Sequence, residues 1–208
     1  EVVELLEHLG WDRCSLLGHS MGAGVATCVA GLLGNRIQNV LLIEGLGPMT
    51  QPPERLTELM RDSFRQWRSL PGKTSPVYAT MDEAVEARHI VGEMEIASVK
   101  TLVGRGLVQK NNSYKWRSDP RLRVKSRVYL TEDQILFFIR EITAPVLVIE
   151  ARDTKIQRWR NFLCSRLPEV RTLKHLVLPG GHHLHLDDPL PVAEAIRDFV
   201  QNPPASHE

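Results

Sequence analysis

The sequence predicts an α/β fold in which a parallel sheet is interrupted by a helical insertion. Amphipathic helical segments alternate with short apolar strands at the start of the chain. The block 48–143 then shows helical patterns and no comparable buried strand. Two further apolar strands follow it, at 145–150 and 173–178. Strands separated by helices require crossover connections, so we expect the strands to run parallel.

The first elements follow from hydrophobic periodicity and from the residues that end each segment. Apolar side chains recur at helical spacing from the first residue, and Gly10 ends that pattern. Short continuous apolar runs are typical of strands buried on both faces. The predicted elements in order are a helix over 1–9, a strand over 13–18, a helix over 20–33 and a strand over 39–44.

The middle block predicts a helical cap. One or two helices are expected between 81 and 107, and the polar segment 111–119 indicates a loop. Thr131 followed by Gln134 fits a capping box, which begins a further helix. The expected domains are therefore an α/β core at 1–47 and 144–208 and a helical cap at 48–143.

Charge and cysteine content exclude several classes of function. The chain has 26 Lys and Arg residues against 25 Asp and Glu, a formal net charge of +1. It therefore lacks the basic excess of nucleic-acid binding proteins, and we expect no nucleic-acid partner. Three widely spaced cysteines form neither a disulfide framework nor a CxxC pair, which favours a reducing, cytoplasmic setting. No apolar run reaches the ~18 residues of a membrane span.

The motif Gly-x-Ser-x-Gly occupies residues 18–22, directly after a predicted strand and directly before a predicted helix. In that setting the serine lies on a sharp strand-to-helix turn that exposes its hydroxyl. Ser20 then lies at a helix N-terminus, where free N–H groups favour the negative charge of an oxyanion. We therefore predict that Ser20 is a catalytic nucleophile.

A nucleophilic serine needs a base and an acid that orients the base. His182 follows the fourth strand and is the predicted base, while Asp153 follows the third and is the predicted acid. In folds with this strand-to-helix turn, the serine, the acid and the histidine follow one another along the chain in that order. Ser20, Asp153 and His182 keep this order, and each comes after the carboxyl end of a strand. Four other carboxylates compete with Asp153 for the role of the acid: Glu44, Asp133, Glu150 and Asp187.

A metal site is a further alternative for the histidine-rich loop at 182–185. His182, His183 and His185 have the spacing His-His-x-His, but no carboxylate or cysteine cluster completes a ligand set. We therefore expect no metal ion, and interpret His183 and His185 as structural or lid-facing.

Together these motifs resemble the α/β-hydrolase superfamily, and most closely its vertebrate serine hydrolase-like family. The resemblance covers essentially the whole chain. The residues that carry it are Leu-Gly-His-Ser-Met-Gly-Ala-Gly at 17–24, Asp-Pro-Arg-Leu at 119–122, Leu-Thr-Glu-Asp-Gln at 130–134 and Gly-His-His-Leu-His-Leu-Asp-Asp-Pro at 181–189.

The resemblance implies roles for three residues and a setting for the protein. Ser20 would be the nucleophile, His182 the base, and the backbone N–H of Met21 one donor of the oxyanion hole. Enzymes of this superfamily of the esterase type use no cofactor. The family's members are associated with the cytoplasm, perinuclear vesicles and peroxisomes.

Two departures from the family pattern bear on activity. The run at 150–153 is Glu-Ala-Arg-Asp, where the superfamily usually has Gly-x-x-Asp. The chain also starts at the helix before the family's fifth strand, so its sheet would contain the equivalents of strands 5–8. The expected missing part would hold a His-Gly loop that donates the second oxyanion N–H, and loss of one such donor typically slows catalysis ~10²–10³-fold.

Two functions therefore remain in competition. One is a serine hydrolase of the esterase type that cleaves a small or medium carboxyl ester or thioester through an acyl-enzyme, with the cap setting substrate choice. The other is a truncated, weak or inactive relative that acts as a binding protein. Epoxide hydrolases and dehalogenases of this fold are excluded because they attack with a carboxylate, whereas this turn carries Ser20.

Overall fold

A computed structural model of the chain describes residues 1–70, 76–155 and 157–204. These residues divide into two compact units. The first comprises Glu1–Thr50 together with the chain from Leu130 onward, and the second comprises Gln51–Tyr129. Within this described part, no helix has both the length and the apolar character needed to cross a lipid bilayer.

The helices and strands are labelled in chain order. They are α1 (Val2–His8), β1 (Cys14–His19), α2 (Met21–Leu33), β2 (Ile37–Ile43), α3 (Leu56–Ser69), β3 (Val77–Tyr78), α4 (Met81–Val91), α5 (Ile96–Gly106), β4 (Leu107–Lys110), β5 (Ser113–Trp116), α6 (Glu132–Arg140), β6 (Val146–Ala151), α7 (Gln157–Arg166), β7 (Leu173–Leu178), α8 (Leu184–Asp187) and α9 (Pro189–Gln201).

The first unit is built on a parallel sheet. Its described strands lie in the order β1-β2-β6-β7, and each neighbouring pair is parallel. In the register of the sheet, Gly18 of β1 pairs with Leu42 of β2, Leu42 with Val148 of β6, and Val148 with His175 of β7. The predicted α/β class with a parallel sheet is confirmed, and each predicted strand occurs within two residues of its expected bounds. The carboxyl ends of all four strands therefore meet at one edge.

The two central strands are buried on both faces because consecutive apolar side chains point to opposite sides. Leu42 and Val148 belong to one apolar cluster, which includes Ala26 of α2 and Ile139 of α6. Leu41 and Ile149 belong to the other, which includes Val192 and Phe199 of α9. This alternation explains why β2 and β6 have continuous apolar sequences instead of an apolar–polar repeat. Helices thus cover both faces of the sheet.

Helix α6 packs on the sheet unit, although the sequence assigned its residues to the cap. The expected capping box is present: Thr131 N–H donates to Gln134 Oε1 at 2.9 Å, and Gln134 N–H donates to Thr131 Oγ1. Close contact with α2 requires a glycine there, since a β-carbon on Gly31 would lie 2.5 Å from the carbonyl oxygen of Phe138. The first unit therefore resumes at Leu130, whereas the sequence suggested residue 144.

The second unit combines helices with a small sheet that the sequence did not predict. It contains α3, α4 and α5 together with an antiparallel sheet in the order β3-β5-β4. Asn111 and Asn112, both with positive φ, form the turn between β4 and β5. Two-residue hairpin turns of this kind favour asparagine because it tolerates positive φ. The expectation of a loop over 111–119 and of a purely helical insertion is therefore corrected.

A buried arginine anchors the segment that follows β2. The Arg166 side chain is fully buried, and its guanidinium donates at 2.7 Å to both carboxylate oxygens of Glu132 and to the carbonyl oxygen of Leu46. Thr50 Oγ1 also donates to Glu132 at 2.7 Å. A buried guanidinium is tolerated only where its N–H groups are paired in this way. These bonds fix the backbone that follows Glu44. Glu44 itself comes directly after β2 and lies at the candidate site.

Candidate active site

Ser20 lies on the sharp turn that the sequence predicted, between β1 and α2. Its backbone has φ 54° and ψ −114°, a left-handed conformation that residues with a β-carbon rarely adopt. Ser20 N–H donates to the carbonyl oxygen of Ile43 at 3.0 Å, which ties the turn to the end of β2. Strained conformations of this kind persist where the surroundings hold them, and they concentrate at functional sites.

The first glycine of the motif is required by close packing within the turn. A β-carbon on Gly18 would lie 2.3 Å from the carbonyl oxygen of Gly22 and 2.6 Å from the nitrogen of Ala23. No side chain fits at those distances. The motif therefore has a steric explanation in this chain, because the start of α2 must pass directly over the end of β1.

His182 reaches the serine from the loop that follows β7. Its Nε2 atom lies 3.0 Å from Ser20 Oγ, which is within hydrogen-bond distance. The imidazole is largely buried, with 15% of the side chain exposed. The structure therefore brings together Ser20 and His182, two residues that are 162 positions apart in sequence.

The carboxylate that contacts His182 is Glu44. Its Oε2 atom lies 3.0 Å from His182 Nδ1, and its Oε1 atom accepts a 2.6 Å hydrogen bond from Ala151 N–H. The Glu44 side chain is fully buried, and its backbone also has positive φ, at 51°. Glu44 N–H continues the sheet by donating to the carbonyl oxygen of Ile149 at 2.9 Å. Glu44 is thus fixed by the ends of β2 and β6 at once.

The proton positions in this chain of contacts follow from the chemistry of the groups. An ionised carboxylate only accepts hydrogen bonds, so the His182 Nδ1 atom carries the proton and donates to Glu44. The Nε2 atom of the neutral ring then has a free lone pair, and it accepts from the Ser20 hydroxyl. This is the arrangement in which histidine can take the serine proton.

Asp153 occupies a different position from the one expected of the orienting acid. Its Oδ2 atom accepts from Gly180 N–H at 3.1 Å, and its own N–H donates to the carbonyl oxygen of Gly180 at 3.0 Å. These bonds join the loops after β6 and β7 two residues before His182. The expectation that Asp153 contacts the histidine is therefore corrected: Asp153 braces the loop, and Glu44 contacts the imidazole.

Another of the competing carboxylates also has a structural partner. Glu150 pairs with Arg160 at 3.0 Å through Oε1 and with His175 at 3.1 Å through Oε2. Glu44 was among the competing residues in the sequence. The sequence signal that marked it as a candidate is its position directly after the apolar run 40–43, a signal that Glu150 shares at the end of its own strand.

Three more histidines lie near the His182 imidazole. We call His19, His183 and His185 the histidine cluster. The ring centroid of His19 lies 4.8 Å from that of His182, 5.2 Å from that of His183 and 4.2 Å from that of His185. His19 Nε2–H donates to the carbonyl oxygen of His182 at 2.8 Å, so His19 also holds the backbone of His182.

Burial favours the uncharged forms of two of these rings, those of His19 and His185. It lowers the pKa of His19 to about 4, although the bond to the His182 carbonyl opposes the shift, and the other histidines lower it further. Burial likewise lowers the pKa of His185, with a smaller contribution from the charge of His182. Rings packed this closely would repel one another if several were protonated.

The family resemblance implies that the backbone N–H of Met21 is an oxyanion donor. Met21 is the first residue of α2, and its N–H follows Ser20 directly. Amides in the first turn of a helix have no intrahelical acceptor, and the helix dipole adds partial positive charge there. The position suits an oxygen that becomes negative when Ser20 attacks a carbonyl.

The chain belongs to the α/β-hydrolase fold family. A sequence model of that family matches residues 1–189. The solved structure of a hypothetical protein from Pseudomonas aeruginosa superposes with a TM-score of 0.84 and 37% identity, over 96% of this chain and 71% of that one.

Two relatives have names that refer to serine hydrolases. A serine hydrolase-like protein of Dictyostelium discoideum is 25% identical over 96% of this chain, and one of Danio rerio is 24% identical over 97%. The chain spans 59% of the first relative's length and 64% of the second's. The similarity therefore supports a hydrolase, while the activity of this chain is a matter for proposal.

The lowered pKa of His19 predicts loss of stability in mild acid. The pKa is near 4 in the folded chain and 6.5 without burial, so between these values the unfolded chain binds the additional proton. Stability from this group is complete above about pH 6.5 and is lost as the pH falls towards 4. We expect the thermal unfolding midpoint to fall more steeply between pH 7 and pH 4.5 in the native chain than in His19→Gln, whose amide can still donate to His182. Equal slopes would contradict this assignment.

Proposed function

We propose that this member of the α/β-hydrolase fold family is a serine hydrolase that cleaves carboxyl esters or thioesters through an acyl-Ser20 intermediate. The single observation that carries the proposal is the continuous set of contacts from Glu44 through His182 to Ser20, with both distances at 3.0 Å. The names of the two relatives support a serine hydrolase, without specifying the bond that is cleaved.

In the first half of the proposed reaction, Ser20 Oγ attacks the substrate carbonyl while its proton passes to His182 Nε2. The carbonyl oxygen takes the electron pair of the former double bond and is stabilised by Met21 N–H. When the double bond re-forms, the bond to the alcohol or thiol breaks, and the leaving group receives the proton from His182. The acyl group remains on Ser20.

In the second half, water repeats the attack on the acyl-enzyme. His182 Nε2 takes a proton from the water, the carboxylic acid departs, and the proton returns to Ser20 Oγ. Glu44 holds the ring in the required tautomer throughout and stabilises the imidazolium that forms twice in each cycle. Because Glu44 is buried and receives a bond from Ala151, its position is fixed before substrate binds.

Two finer expectations stay predictions from the sequence. One is that the second unit acts as a cap that selects the substrate. The other is the location of the protein in the cytoplasm, perinuclear vesicles or peroxisomes.

The proposal predicts that a fluorophosphonate probe labels Ser20. The phosphonate phosphorus is attacked by an activated serine hydroxyl, so labelling requires the base as well as the nucleophile. We expect one label per chain, located at Ser20 by peptide mass spectrometry, together with turnover of short p-nitrophenyl esters. Ser20→Ala should lose both. A chain that unfolds cooperatively but neither labels nor turns over ester above the Ser20→Ala background would favour the alternative, a binding protein.

The assignment of the acid predicts different outcomes for two carboxylates. Glu44→Gln should lower kcat about 10³–10⁴-fold, because an amide can donate to Nδ1 and so stabilise the wrong tautomer. Asp153→Asn is the matched control: asparagine Oδ1 can still accept from Gly180 N–H, and kcat should stay within about tenfold of the native value. Ester turnover is measured for both variants after their thermal unfolding is compared with that of the native chain. The reverse order of effects would return the role of the acid to Asp153.

A further inference from the structure

The histidine cluster has the composition of a metal site, although the sequence led us to expect no metal ion. The third ligand beside His183 and His185 is His19, which is distant in sequence, and not a carboxylate or a cysteine. His183 is the last residue of the loop after β7 and His185 lies in α8, while His19 ends β1 more than 160 positions earlier. One ring nitrogen from each of the three residues lies within 4.8 Å of the other two. All three belong to the first unit, on the strand-end edge that carries Ser20.

The spacing is close to that of a bound ion. Three points within 4.8 Å of one another lie within about 2.8 Å of a common centre, and a Zn²⁺–imidazole bond is about 2.0–2.1 Å long. Each nitrogen therefore needs to move inward by less than about 1 Å, which small rotations of the side chains provide.

A buried nitrogen without a partner points to a ligand at this place. His185 Nδ1 is shielded from solvent and has no hydrogen-bond partner among the described residues. Buried polar atoms are nearly always paired, and an exception calls for a water, an ion or a functional reason. In His19 the Nε2–H is committed to the His182 carbonyl, so the other ring nitrogen, Nδ1, is the one with a free lone pair.

We propose that His19, His183 and His185 bind a divalent transition-metal ion such as Zn²⁺, and that the bound ion inhibits the hydrolase. Imidazole nitrogens suit Zn²⁺, Cu²⁺ and Ni²⁺, whereas Mg²⁺ and Ca²⁺ require oxygen ligands. Three protein ligands leave one tetrahedral position for water.

The inhibitory effect rests on the proposed function, whereas the binding does not. The rings of His19 and His183 lie 4.8 Å and 5.1 Å from that of His182, between their centroids. A dication held by those rings would oppose the positive charge that His182 must acquire when it takes the Ser20 proton. Movement of His19 towards the ion would also loosen its bond to the His182 carbonyl. Both effects slow the attack by Ser20.

Binding is tested first, on the untagged chain freed of metals with a chelator and titrated with Zn²⁺ in a calorimeter. We expect one equivalent of Zn²⁺ to bind, and His183→Gln and His185→Gln each to weaken the affinity by at least about tenfold. His8→Gln changes an exposed histidine on α1 and should bind like the native chain. Thermal unfolding without metal shows whether each variant is folded. If His185→Gln is not folded, the affinity of His183→Gln decides the result. Absence of binding, or equal affinity in all variants, would overturn the site.

Inhibition is tested on the same proteins through the rate of fluorophosphonate labelling at Ser20. Saturating Zn²⁺ should slow labelling at least about tenfold in the native chain and in His8→Gln, and chelator should restore the rate. Folded His183→Gln or His185→Gln should label at the same rate with and without Zn²⁺. Zn²⁺ that binds the native chain without slowing its labelling overturns the inhibitory role. A native chain that never labels contradicts the proposed function instead, and the calorimetric result then still decides whether the metal site exists.

Discussion

The buried carboxylate of Glu44 is the group on which the candidate site depends. A carboxylate removed from water is costly unless its oxygens receive hydrogen bonds. Glu44 receives them from two directions, from Ala151 N–H at the end of β6 and from His182 in the loop after β7. The residue itself directly follows β2 and has positive φ, beside the Ser20 turn. Glu44 thus ties together the ends of β2, β6 and β7, and Ser20 and His182 are held 3.0 Å apart, within hydrogen-bond distance.

The surrounding contacts stabilise the same geometry. Asp153 and Gly180 join the loops that follow β6 and β7, and His19 holds the His182 carbonyl. The segment beyond Glu44 is anchored by the buried guanidinium of Arg166. Contacts between residues that are far apart in sequence therefore restrict the positions of Glu44 and His182. Rigid support of this kind allows an active site to act without reorganising during the reaction.

The sequence predicted the fold, and it singled out Ser20 and His182, which the structure places in contact, for clear physical reasons. Continuous apolar runs identify buried strands, and the Gly-x-Ser-x-Gly turn identifies Ser20, because each depends on local residues. The acid could not be chosen locally: Asp153 and Glu44 both follow strands, and only the sheet order and side-chain reach decide which one meets His182. The hairpin of β4 and β5 was missed because its short strands mix polar and apolar residues, so only the Asn111-Asn112 turn indicated it.

The hydrogen bond between His182 and Glu44 can be observed directly by proton NMR. An Nδ1–H shared with a buried carboxylate is strongly deshielded and resonates downfield of the backbone amides. On ¹⁵N-histidine-labelled protein, such a signal should be present in the native chain and in Asp153→Asn, and absent from His182→Gln, which assigns it, and from Glu44→Gln. A downfield signal that survives in Glu44→Gln and disappears in Asp153→Asn would contradict the central role of Glu44.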